Sequence, residues 1–172
     1  MDARQGDPSG RAGAVLAVHA AAEAPASGFA KQSRDELLLV ADHGAADDRH
    51  AGRDLREVHL VDVARYRLLR AAGHDVGPGY LGENVTTDGV DLLALPAGTV
   101  LAVGGRARLR LTGMRFPRHE DPATDRVGVD LDPAGVPVGR VGVFAVVLAG
   151  GRVRAGDAVR VLHVGDDPLH PL

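Results

Sequence analysis

Lys31 is the only lysine among the twenty Lys and Arg residues of this 172-residue chain. A primary amine kept where guanidinium is otherwise used points to a compact cation, or to one that can shed its proton when buried. Such an amine can hold an anion or act as a base or nucleophile; a surface lysine retained by chance is the other reading. Asp48-Arg49-His50 places a carboxylate two residues from an imidazole. A carboxylate so placed can fix one ring tautomer and leave the other nitrogen free to take or give a proton, although Asp–His pairs also occur on plain surface loops. Gly82-Glu83-Asn84 puts two polar side chains after a turn glycine, either to contact a ligand or to fasten a loop by bonding backbone amides. Arg115 and Arg118 follow further along, and a guanidinium clasps carboxylate, phosphate or sulfonate through paired hydrogen bonds. His119 and Glu120 come next, where they can transfer protons near Arg118 or only solvate a loop that also holds Asp121 and Asp125.

Other chemistry is excluded. The chain has no cysteine, which removes disulfides, Cys-ligated zinc and thiol catalysis. Its three serines all precede residue 34, and its eight histidines are scattered without zinc spacing, so no metal site is expected. Gly77-Pro78-Gly79-Tyr80-Leu81-Gly82 fits the dinucleotide pattern but has no strand–turn–helix around it and reads as a plain turn. Net charge is -3 with no basic stripe interleaved with aromatics, which argues against nucleic acid. No apolar run approaches the ~18 residues of a membrane span, and Met1 to Gly13 lacks the apolar stretch of a signal peptide. A cytoplasmic protein is the expectation.

A β-rich scaffold must position these side chains. The length suits one domain, and 45% apolar but 3% aromatic residues require a core of Val, Leu and Ala. Residues 1–13 and 165–172 read as loose ends around a domain spanning 14–164. Ala14 to Val18, Glu36 to Val40 and Glu57 to Val61 are short apolar runs of strand type. The spacing of Val63, Tyr66 and Leu69 predicts a helix capped by Asp62 and closed by Gly73. Gly104-Gly105 and Gly150-Gly151 each separate two strand-like runs and predict two hairpins. Arg106 to Leu111 alternates strictly, so one face is wet and one buried. Ala97 to Val103 echoes Ala155 to Val161, each a glycine turn leading into a strand, as in small closed barrels. No alternating βαβ pattern is visible.

Gly82-Glu83-Asn84-Val85, followed by Asp91-Leu92 and Pro96-x-Gly98, resembles the signature of the MOSC domain family, named for the C-terminal domain of molybdenum-cofactor sulfurase. Asp48-Arg49-His50-Ala51-Gly52 is similar to the family's Gly-Asp-x-His-x-Gly segment, with Asp47 where the first glycine usually stands. Thr112-Gly113-Met114-Arg115-Phe116-Pro117-Arg118 resembles its Thr-Gly-x-x-x-Pro-Cys, with Arg118 in the cysteine's place. Lys31 and Arg56 match a lysine and an arginine that recur in the family. The resemblance runs from about Ala14 to Val164. It implies a mostly β protein: a MOSC-type barrel related to that of pyruvate kinase, with short peripheral helices.

The resemblance also implies a cleft where the Lys31, His50, Glu83-Asn84 and Arg118 segments converge. There Lys31 or His50 is the expected base and Asp48 orients the imidazole. Arg56, Glu83, Asn84, Arg115, Arg118 and His119 are the expected substrate or anion contacts. The family implies molybdenum-cofactor chemistry, either sulfur transfer or reduction of N-oxygenated compounds. A guanidinium can neither ligate molybdenum nor carry sulfur as a thiolate does, so no cofactor is expected, with the molybdenum cofactor as the family alternative. The leading expectation is an enzyme of metal-independent proton transfer, such as C–S bond cleavage on a small anionic or sulfur-containing metabolite. A non-catalytic binder of a pterin phosphate or other anion is the third reading, and a homodimer is left open.

Overall fold

Val-, Leu- and Ala-rich runs, punctuated by glycine turns, become thirteen strands among the described residues. The computed structural model describes residues 11–26, 28–115 and 128–172. Strands β1 (Ala12–Ala20), β2 (Gln32–Arg34), β3 (Leu37–Val40), β4 (Gly44–Ala45) and β5 (Val58–Asp62) precede helix α1 (Val63–Ala71). Strands β6 (Val85–Asp88), β7 (Val100–Val103), β8 (Ala107–Arg115), β9 (Val129–Leu131) and β10 (Pro137–Gly139) follow it. The last three are β11 (Gly142–Ala149), β12 (Gly151–Val153) and β13 (Ala158–His163). Seven of them close into a barrel in the order β13-β7-β8-β11-β5-β6-β1, with β1 pairing back onto β13. Closure leaves the barrel without a bare edge. β2 extends β1, β12-β3-β4 form a small second sheet, and β9-β10 form a hairpin.

The barrel interior is Val, Leu and Ala, as the composition requires. Leu60, Leu101, Leu109 and Val143 are among its wholly buried members. A second cluster, built on Tyr66, Leu69, Leu81 and Val61, seats α1 against the barrel wall. Asp62 caps α1 by accepting the Ala64 N–H at 2.8 Å. At the other end Gly73 takes φ +97°, and the Gly73 and His74 N–H groups donate to the Arg70 and Leu69 carbonyls. This is the left-handed glycine closure that orphan carbonyls favour. Among the described residues α1 is the only α-helix, joined by one 3-10 turn at Leu92–Ala94; the expected set of peripheral helices is thus reduced to one.

The β7–β8 hairpin forms as predicted, with Val103 facing Ala107. The echoed strands β7 and β13 pair with each other. The second predicted hairpin is corrected: β12 pairs with β3, not with β11. A Cβ on Gly150 would lie 2.6 Å from the Leu39 carbonyl oxygen, so this glycine permits close passage over β3. Among the described strands one pair is parallel, β5 with β6, and α1 lies in the connection between them. That crossover was invisible as a sequence pattern because it occurs once. It delivers the chain back to the barrel through the turn that holds Gly82, Glu83 and Asn84.

A bulge in β8 aims the site. Leu111 faces Ala145, yet Gly113 faces Phe144, so Thr112 is an extra residue in β8. Ala107, Leu109 and Leu111 point into the barrel. Strict alternation would send Gly113 and Arg115 inward as well. The bulge reverses the phase, so Met114 takes the buried side and Arg115 reaches the outer wall.

Candidate functional site

The barrel's outer wall carries a cleft of about 380 Å³, within the ~300–1,000 Å³ of small-molecule sites. His59 on β5 and Phe144 on β11 are cross-strand partners on this wall. Their neighbours Val58, Leu60, Val143 and Ala145 point into the barrel core. The β1–β2 loop brings Lys31, the β4–β5 loop brings Arg49, His50, Arg53 and Arg56, and β8 brings Arg115. Among the described residues, five lining side chains are therefore cationic and none is acidic. Among the described residues neither Arg53 nor Arg56 meets a carboxylate.

Asp48 lies beneath this lining and joins the two expected proton-transfer groups. Its carboxylate accepts from Lys31 Nζ at 3.1 and 3.0 Å, with the two side chains 2% and 0% exposed. The same carboxylate accepts the Ala21 and His50 backbone N–H groups at 3.1 and 3.0 Å. His50 Nδ1 lies 3.3 Å from Asp48 Oδ1. Burial pushes the Asp48 carboxyl up, but the His50 hydrogen bonds and the Lys31 ammonium outweigh it and hold it well below the usual carboxylate range. Burial lowers the Lys31 amine from its ordinary value, with Asp48 opposing and Arg49 and Arg115 assisting. With Nδ1–H donated to Asp48, His50 Nε2 is an acceptor, and the Arg49 Nε–H approaches it at 3.4 Å.

Arg115 sits deeper. Its Nη1 donates to the Leu81 carbonyl and lies 3.4 Å from His59 Nδ1, and its guanidinium stacks 4.8 Å from the Phe29 ring centre. Burial pushes its pKa down to about 10, against the attraction of Glu83. His59 is 4% exposed and its Nε2 has no partner among the described residues. Burial, then the Arg115 and Lys31 charges, hold it well below its ordinary 6.5, so it is a neutral imidazole.

Most of the expected residues converge: Lys31, His50, Arg56, Asn84 and Arg115 line one cleft, with Asp48 under it. Asn84 lines it with its amide already committed, accepting the His59 N–H at 3.1 Å and donating to the His19 carbonyl at 3.3 Å. It ties β1 to β5 just before β6 begins. Glu83 corrects its expectation, since it is 0% exposed and absent from the lining. Its carboxylate accepts the Tyr66 hydroxyl at 2.8 Å, the Gly79 N–H at 2.8 Å and the Thr86 hydroxyl at 2.7 Å. It packs where it does because Gly82, at φ +78°, turns tightly under the Phe29 carbonyl, 2.7 Å from where a Cβ would be. Glu83→Ala should leave three buried donors unpaired and cost about 3 kcal/mol or more. Denaturant unfolding measures this, and a loss under 1 kcal/mol would show the network to be dispensable. Arg118 and His119 lie outside the described residues.

Sequence reasoning missed Arg53, His59, Phe29 and Phe144. His59 left one signal, a lone polar residue in the apolar run Val58 to Val61 at a position out of phase with the core. Phe29 and Phe144 left another, being two of only three phenylalanines. Among the described residues no three His, Asp or Glu side chains gather in a metal-holding arrangement, and no helix is long and apolar enough to cross a membrane.

A closed seven-strand barrel with a cation-lined cleft on its wall defines the class. Residues 47–160 match the MOSC domain, and the chain belongs to that family. It is similar in structure to the YuaD protein of Bacillus subtilis (TM-score 0.67, 18% identity, covering 90% of this chain and 97% of that one). It is also similar to YiiM from Escherichia coli (TM-score 0.61, 19% identity, 92% and 73% covered). YiiM from Geobacillus stearothermophilus aligns over 92% and 77% of the two chains at TM-score 0.57 and 15% identity. At these identities the likeness is one of fold. A search of curated proteins finds none that matches.

Proposed function

We propose that this MOSC-domain protein is an enzyme that binds a small anion in the cleft and moves a proton on it without a metal. One observation carries the reading: a single buried carboxylate, Asp48, holds both the Lys31 ammonium and the His50 imidazole beside four arginines, with no acidic side chain among the described lining residues. Like charges so gathered repel one another, and a bound anion relieves that repulsion. Of the two candidate bases His50 is favoured. Lys31 is locked to Asp48 through both carboxylate oxygens, which keeps its proton in place. For His50, Asp48 fixes the tautomer that leaves Nε2 able to accept a proton.

Cleavage of a C–S bond suits this arrangement. His50 would take the proton from the carbon next to an acid group, and the electron pair would form the alkene as the C–S bond breaks. The thiolate would leave and recover the proton from the imidazolium. Arg56 and Arg115 would hold the acid group and stabilise the charge that develops on it. Molybdenum-cofactor chemistry is the family alternative. It needs a soft ligand, whereas the chain has no cysteine and the cleft offers cationic nitrogen groups. The residues do not fit a thiolate-held molybdenum.

Inorganic phosphate is the test ligand. By titration calorimetry it should bind with an affinity that falls as salt rises. Arg56→Ala should weaken it roughly tenfold or more, the worth of one hydrogen bond to a charged group. Unchanged affinity in Arg56→Ala, or near-stoichiometric molybdenum in the purified protein, would overturn the proposal.

A further inference from the structure

The segment after β13 packs against the barrel and brings Leu172 into the lining of the cleft. It runs back along the barrel, where Asp167 bridges to Ala97 and Pro171 to Met114. The Met114 N–H donates to the His170 carbonyl at 2.8 Å, and the Leu172 N–H donates to the Met114 carbonyl at 3.1 Å. These bonds set the Leu172 side chain over Gly113. A Cβ on Gly113 would lie 2.4 Å from Leu172 Cγ, closer than carbon atoms approach, so the glycine makes room for the leucine. Gly113 faces Phe144 across the strands, and Phe144 faces His59. The outer wall therefore presents leucine, phenylalanine and imidazole on three neighbouring strands. The imidazole lies 5.3 Å from the Phe144 ring, and the Arg56 guanidinium carbon lies 6.0 Å from that ring's centre. Val136 and Pro137 line the same cleft.

We propose that this row is an apolar subsite adjoining the cations, and that the ligand is an amphipathic anion: one acid group joined to an aryl or alkyl arm. The proposal rests on the anion-binding reading above and names the ligand's other half. Leu172 is 40% exposed and lies where an arm extending from an acid group at Arg56 would pass over Phe144. Covering that apolar row removes it from water, which a bare oxyanion cannot do. The cleft volume of about 380 Å³ also exceeds what a bare oxyanion fills.

The test compares inorganic phosphate with phenyl phosphate by calorimetry on the full chain at low salt. The two share an anionic head and differ in the arm. Phenyl phosphate should bind roughly tenfold or more tighter, the return on burying part of one ring. Leu172→Ser and Phe144→Ala, each checked for folding by circular dichroism, should lower the ratio of the two affinities toward one. Equal affinities in the parent overturn the subsite and leave the anion reading standing. Absence of binding by either compound overturns both. A ratio that both variants preserve shows that the arm lies elsewhere and overturns the assignment to this row.

Discussion

Asp48→Asn is expected to lower stability by about 3–5 kcal/mol, because it leaves the Lys31 ammonium buried without its counter-charge. For a chain of this size the thermal midpoint should fall on the order of 10 °C. The pair is 2% and 0% exposed, so solvent does little to screen the loss. Lys31→Met added to Asp48→Asn should restore much of it, since removing both charges leaves no uncompensated group. The effect has a defined pH window. The folded Asp48 carboxyl titrates below its ordinary 3.8, so the unfolded chain binds more protons between the two values. Its stabilisation is complete above about pH 5 and is lost as pH falls through 3.8 toward the folded value. Lys31 acts at the other end: its folded pKa lies below 10.5, so stability rises with pH as that value is approached. Denaturant unfolding of parent, single and double variants from pH 2.5 to 10, values set by roughly that window, measures these terms. Equal stability of Asp48→Asn and the parent at neutral pH would remove the pair's structural role.

His50→Gln is expected to lower turnover by roughly 10²–10⁴-fold, the usual contribution of a positioned general base. The assay is release of free thiol from a thioether carrying an acid group. Glutamine keeps a polar side chain of similar reach beside Asp48 but cannot take the proton at neutral pH. Circular dichroism of the variant should match the parent, because the His50 side chain is 29% exposed and its backbone N–H, which stays, makes the shorter bond to Asp48. Lys31→Met serves as the comparison. A loss confined to Lys31→Met, in a variant whose circular dichroism matches the parent, moves the base to Lys31, and a His50→Gln variant as active as the parent ends the His50 proposal.

Much of the framework is local physics, and so could be read along the chain. Asp62, the Val63-Tyr66-Leu69 spacing and Gly73 specify a capped helix within one stretch of backbone. Gly104-Gly105 closes β7 onto β8 for the same reason. The poverty in aromatics required a Val, Leu and Ala core, which the barrel has. The Asp48–His50 contact is also local, since the two residues are neighbours in one loop.

Other features depended on distant partners. Whether β12 joins β11 or β3 turns on the Gly150 approach to Leu39, a contact between segments over one hundred residues apart. Glu83 has the same residue type whether it meets a ligand or a buried hydroxyl; Tyr66 on α1 decides, and nothing next to Glu83 announces it. Alternation along β8 points Arg115 into the core, and the Thr112 bulge, set by pairing with β11, turns it out into the cleft. Leu172 reads as part of a loose tail until Gly113 provides its seat. The sequence alone determined which groups were present and how each short stretch would fold. Which of them share a cleft was decided by barrel closure, because burial and register are properties of contacts between strands far apart in the chain.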